Sequence, residues 1–201
     1  MTGNVASGKT TVADRWREAG VVVIDADRLG HEVLREEPAA KAALVGAFGE
    51  GILGADGSID RTALGERAFA SDEGVRRLDA IVHPPLLERL RAGLERAERE
   101  GEPFAVVDAA LIFEFGLDED LDAVVLVTAP PELRAERIRQ ARGRDDERIE
   151  RIMAAQLPDA EKVAAGDYVI VNDGSLEELR AAADRVLAEI RSDFGPGTAD
   201  T

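Results

Sequence analysis

The stretch Met1–Thr11, MTGNVASGKTT, decides how the rest of this 201-residue chain is read. Gly3, Gly8, Lys9 and Thr10 match the spacing G-x-x-x-x-G-K-[ST], in which a glycine-rich turn presents its backbone N–H groups to phosphate oxygens. Glycine is needed where the backbone must turn inward and approach the phosphates without a side chain in the way. On this reading residues Gly3, Asn4, Val5, Ala6, Ser7, Gly8, Lys9, Thr10 and Thr11 bind the phosphates of a nucleotide. Lys9 bridges the β- and γ-phosphates, Thr10 offers its hydroxyl to Mg²⁺, and the following helix adds its N-terminal dipole. The competing reading is a glycine-rich turn with no ligand. The helical pattern that follows and the surrounding β/α alternation favour phosphate.

Such a loop normally leaves the end of a buried strand, yet only Met1 and Thr2 precede it. The expectation is a first strand missing from this sequence, with the natural start upstream of Met1. Its neighbours, VVVID and FAVVD, would then face a gap whose buried N–H and C=O groups cost about 1–3 kcal/mol each.

Composition narrows the partners. With 41 acidic against 25 basic residues, the formal net charge is -16. That opposes binding to nucleic acid or to an anionic membrane, so an anionic ligand needs a local cationic pocket. Lysine occurs only at Lys9, Lys41 and Lys162, and one of the three stands inside the loop. The absence of cysteine excludes disulfides and thiolate metal sites and fits a reducing cytoplasm. No run is long enough for a membrane helix and no leader pattern opens the chain.

Apolar runs at Val21–Asp25, Phe104–Asp108, 122–130 and 167–173 read as buried strands alternating with helical patterns. Helices are expected from Lys9 to Glu18, from about Asp27 to Arg35, and from Pro38 to Phe48. Short helical patterns then lead to an amphipathic helix beginning at His83-Pro84-Pro85. Further helices follow Pro131 and the arginine-rich 141–156, and a last one is capped by Ser175 with Glu178. Strand–helix alternation implies a doubly wound parallel sheet, with a helical lobe at about 30–100, a lid at about 137–150 and a disordered tail at 193–201. Residues 1–192 form one domain on this reading.

Two strands end in acid, where α/β sheets bind ligands. Asp25 or Asp108 could hold Mg²⁺ through water, or each could cap the next helix; Glu114 follows the second strand. Asp27 is placed to accept a proton from an attacking hydroxyl. Arg134, Arg137, Arg139, Arg142 and Arg144 form either a solvated helix face or a lid over the transferring phosphoryl group, and the lid reading uses Arg137 with Arg142 or Arg144. A guanine-reading N-K-x-D is absent, which weighs against a regulatory GTPase despite D-x-x-G at Asp27–Gly30.

Together these residues resemble the dephospho-CoA kinase family. The similarity rests on TGNVASGKTT with VVVIDAD, DGSIDRTALGERAF, IVHP at Ile81–Pro84, DAALIFEFGLD, RIMAAQLPDAEK and GDYVIVNDG, in order over nearly the whole chain. Departures are Ala110 where the family has proline, and Gly166 where it has alanine. The resemblance implies a P-loop nucleoside-triphosphate hydrolase fold and transfer of the γ-phosphoryl of ATP to the ribose 3′-hydroxyl of dephospho-CoA, with Mg²⁺. It implies Asp27 as base, Arg137 and Arg142 in the lid, and Asn172 and Gly174 near the adenine. His83 and Asp108 would lie toward the acceptor. A monomer or weak homo-oligomer is expected. The alternatives are another small-molecule kinase of the same scaffold, or a non-catalytic nucleotide-binding regulatory protein.

Overall fold

Gly8 stands in the left-handed region (φ 100°) and opens α1 (Lys9–Glu18), the first element of the computed structural model. The structure describes residues 1–110, 112–113, 121–142, 146–154 and 156–195. It is an α/β chain that divides into two compact units: Met1–Ile24 with Ala97–Thr201, and Asp25–Arg96.

In the first unit, β1 (Val22–Asp25) neighbours β2 (Ala105–Asp108). β3 (Val125–Thr128) runs parallel to β4 (Tyr168–Val171), with Val125 opposite Tyr168 and Thr128 opposite Val171. Met1 and Thr2 bond to both β2 and β3. The Met1 amino group donates to Val107 O (2.6 Å), and the Ala109 N–H donates to Met1 O (3.1 Å). On the other side the Thr2 N–H donates to Val125 O (2.8 Å) and the Val127 N–H to Thr2 O (2.9 Å). Over these two residues, backbone groups expected to face a gap are paired.

Strand burial follows position in the sheet. Val125, Leu126 and Val127 are all buried, as in a strand covered on both faces. In β4, Ile170 is buried while Val169 and Val171 are exposed, the two-residue alternation of a half-covered strand.

Helix α1 buries Val12, Ala13 and Trp16 against α9 (Leu176–Phe194). Trp16 carries the largest fully buried side chain, and its indole N–H donates to Ala183 O (3.0 Å), so burial leaves no polar atom unpaired there. Arg15 holds Asp184 through two bonds of 2.8 Å. Helix α9 reaches Phe194, which packs against this core, so the helix passes the boundary expected at 192; residues 196–201 of the expected tail lie outside the described residues. The Ser175–Glu178 capping box forms as the spacing predicts. Ser175→Ala is expected to cost about 1 kcal/mol, read as a fall of about 2–4 °C in the thermal midpoint by circular dichroism. α6 (Pro131–Arg142), α7 (Asp146–Ala154) and α8 (Asp159–Ala165) complete this unit.

The second unit contains α2 (Ala26–Glu36), α3 (Pro38–Phe48), a 3₁₀ turn (Glu50–Ile52), α4 (Arg61–Ala68) and most of α5 (Asp72–Arg99). Its core is Leu44, Ile52 and Leu64, with Phe48, Leu78, Ile81 and Val82 packed around them. Asp60 caps α4 by accepting from the Thr62 and Ala63 N–H groups. Arg89 of α5 donates to Glu36 (3.1 Å) and Glu37 (2.7 Å), fastening α5 to the end of α2.

Helix α5 corrects one expectation. The sequence reading starts a helix at His83-Pro84-Pro85, whereas α5 is continuous over 28 residues with both prolines inside it. Proline removes an intrahelical N–H and clashes with the preceding turn, at about 3 kcal/mol or more. Leu78, Ile81 and Val82, immediately before the prolines, are packed against the core, and that burial keeps the turn helical. Among the described residues no helix is long and apolar enough to cross a membrane.

Candidate active site

The loop of residues 3–8 cannot be rebuilt with larger side chains at either glycine. A Cβ on Gly3 would lie 2.3 Å from Val127 O, and one on Gly8 would lie 2.3 Å from Asn172 Nδ2. Between them Ala6 also has positive φ (60°), a conformation uncommon for a residue with a Cβ. The Ser7 N–H donates to Asn4 O (3.0 Å) and the Thr11 N–H to Gly8 O (2.9 Å), which closes the turn onto α1.

Electrostatics at this helix start run against the usual pattern. First turns favour acidic residues and disfavour cations. Here the first turn of α1 contains no acid, Gly8 supplies no side-chain cap, and Lys9 and Thr10 stand at the first two positions. In a chain of net charge -16 this leaves a helix N-terminus with no acid in its first turn, as an anion-binding start requires.

The Lys9 ammonium pairs with the Asp108 carboxylate at the end of β2, and both side chains are largely buried (14% and 7% exposed). Asp108 therefore holds the lysine beside the loop rather than capping a helix. Thr10 is exposed. The Asn172 side-chain amide donates to Ser7 O (2.8 Å). Arg137 of α6 donates to Ala6 O (3.2 Å), and to Asn172 Oδ1 (3.2 Å) and O (3.4 Å). The Ala6 and Ser7 carbonyls are thus held by Arg137 and Asn172.

Other predicted residues separate by role. Arg134 is buried and pairs with Asp159 (3.2 Å), while Arg139 is exposed and pairs with Asp146 (2.6 Å). The arginine run is therefore not one surface. Glu114, Arg144 and the side chain of Arg142 lie outside the described residues. Gly174 leaves room for the Glu178 carboxylate, which a Cβ would approach to 2.3 Å, so it serves the α9 cap.

In the second unit, Asp25 accepts from the Arg28 N–H (2.8 Å) as the N-cap of α2. Asp27 is exposed in the first turn of that helix. His83 is half-buried on α5, one turn from Asp79. Burial raises the Asp79 carboxyl above its ordinary value, and the neighbouring His83 charge opposes that rise. No group of three or more acidic or histidine side chains able to hold a metal occurs among the described residues.

Sequence reasoning missed the outer wall of the loop. The Asn4 side chain donates to Leu157 O (3.1 Å) and Asp159 Oδ1 (3.1 Å), and the Val5 N–H donates to Gln156 Oε1 (2.9 Å). Gln156 and Asp159 both lie inside RIMAAQLPDAEK, where no local spacing marks either as a loop contact.

Fold and site define an α/β protein with a glycine loop at the head of its first helix, flanked by a lysine–carboxylate pair. Residues 1–178 match the family described as dephospho-CoA kinase. A dephospho-CoA kinase of Corynebacterium glutamicum is 39% identical over 192 residues, covering 96% of this chain and 96% of its own. One from Anaeromyxobacter dehalogenans is 40% identical, covering 97% of this chain and 92% of its own. Among solved structures, a dephospho-CoA kinase from Campylobacter jejuni superposes with a TM-score of 0.71 at 27% identity, covering 95% of each chain. A Thermus thermophilus protein superposes with a TM-score of 0.81 at 36% identity, covering 94% of this chain and 95% of its own. The chain belongs to the dephospho-CoA kinase family.

Proposed function

We infer that this chain transfers the γ-phosphoryl group of ATP to the ribose 3′-hydroxyl of dephospho-CoA, giving coenzyme A and ADP. The observation that carries the reading is Lys9, paired with Asp108, at the unneutralised start of a helix behind a glycine loop. A phosphate-binding turn needs that arrangement, and a plain structural turn does not.

On this reading the sheet is doubly wound and of P-loop type. A helical lobe at about 30–100 receives the acceptor, and 137–150 forms the lid. The loop Gly3–Thr11 binds the ATP phosphates, and Lys9 offsets charge that grows on the γ-phosphoryl oxygens during transfer. Asp27 takes the proton from the acceptor hydroxyl as its oxygen bonds to phosphorus and the bond to the ADP oxygen breaks. His83 and Asp108 position the acceptor, Asn172 lies toward the nucleoside, and Arg137 and Arg142 serve the lid. Thr10, exposed in the first turn of α1, would offer its hydroxyl to Mg²⁺, which supplies charge neutralisation between the phosphates when bound. The protein is read as a cytoplasmic monomer or weak homo-oligomer that binds no nucleic acid.

Purified protein with ATP and Mg²⁺ is expected to form ADP and coenzyme A from dephospho-CoA, measured by chromatography against other hydroxyl acceptors and a water blank. ADP formation with another acceptor but none with dephospho-CoA would overturn the substrate. Binding of ATP with no turnover on any acceptor would favour the regulatory reading.

A further inference from the structure

We infer that Asp159 is a positioning residue for the phosphate loop, through which one carboxylate ties the loop's outer wall to the end of β3 and to α6. The inference rests on residues 3–11 binding the nucleotide phosphates, as proposed above.

The loop adopts a backbone that favours outside support, since Ala6, a residue with a Cβ, has positive φ (60°). Its inner carbonyls are gripped by Asn172 and Arg137. Its outer side is gripped by residues 156–159. Asp159 Oδ1 accepts from the Asn4 amide (3.1 Å) and from the Thr128 hydroxyl (3.1 Å), while Oδ2 faces the Arg134 guanidinium (3.2 Å). The Arg134 side chain is buried and that of Asp159 is half-buried, so the guanidinium end of the pair is shielded from solvent.

Two features separate this from ordinary capping. The N-cap of α8 is Pro158, with no side-chain cap bond, and the Asp159 carboxylate makes its bonds to other segments. Arg134 also precedes Arg137 by one helical turn on α6, so the ion pair fixes the helix that brings Arg137 to Ala6 O. Three residues before Asp159, Gln156 holds the Val5 N–H, so the same short segment grips the loop twice.

Without these ties the loop samples other conformations, and ATP must order it on binding. Apparent affinity then falls by the fraction of molecules that remain competent, while chemistry in the bound complex is unchanged. Asp159→Ala is expected to raise both the ATP Kd and the ATP KM by about tenfold, for a competent fraction of about a tenth. Its kcat stays within about twofold and its KM for dephospho-CoA is unchanged. Asp159→Asn, which keeps an acceptor for Asn4 and Thr128, is expected to recover part of the loss. Gln156→Ala, which frees the Val5 N–H, is expected to shift the ATP KM in the same direction. The readouts are calorimetric ATP binding and two-substrate steady-state kinetics on the whole chain. If Asp159→Ala does not fold, Asp159→Asn and Gln156→Ala decide. ATP constants equal to those of the parent, or a lowered thermal midpoint with ATP KM unchanged, overturn the inference alone. A parent protein that binds no ATP overturns the phosphate-loop reading and this inference with it.

Discussion

Lys9→Met is expected to lower turnover by about a hundred- to a thousandfold, the range for removing one preorganised charge from a developing oxyanion. It is also expected to destabilise the protein by about 3–5 kcal/mol, because the Asp108 carboxylate, only 7% exposed, loses its lysine partner. The two losses separate in a second variant. Asp108→Asn in the Lys9→Met background removes the stranded charge and is expected to return most of the stability, with turnover still low. Urea midpoints and initial rates measure the two effects. Turnover within tenfold of the parent in Lys9→Met would remove the lysine from the phosphate site. Failure of the double variant to regain stability would remove the ion pair as the source of the loss.

Asp27→Asn is expected to lose about 10²–10⁴-fold in kcat, the usual contribution of a positioned general base. Asparagine is close to isosteric with aspartate and accepts no proton. Asp27 is exposed in the first turn of α2, and the cap of that helix is Asp25, so the substitution leaves the fold in place. ATP affinity is expected to stay within about twofold, since the phosphates are assigned to the loop and not to this carboxylate. The acidic limb of the kcat/KM profile, which reports the base in the free enzyme, is expected to disappear with it. Unchanged turnover, or an unchanged acidic limb, would assign the base elsewhere.

Much of this protein is legible without coordinates because its signals are local. The bounds of α1 and α3, the four apolar strands and the Ser175–Glu178 cap each depend on residues within one or two turns of each other. Where reading failed, a distant contact outweighed a local preference. The prolines at 84 and 85 argue for a helix start, and a core that includes Leu44 and Ile81 carries α5 through them. The arginines from 134 onward look alike as a run. Buried Arg134 pairs with Asp159 and Arg137 reaches Ala6, while Arg139 stays at the surface with Asp146, because neighbouring positions on a helix face different surroundings.

By itself the sequence determined that a glycine-bearing turn opens the first helix, since the positive φ at Gly8 is one that glycine adopts readily, and that the chain resembles one kinase family over its length. Only the tertiary structure decided what supports that turn. Asp108, Arg137, Asp159 and Asn172 lie 99 or more residues from the loop atoms they touch. They converge there because β2, β3 and β4 end on the same side as the loop, and strand neighbours are chosen by burial across the sheet, which no spacing along the chain records.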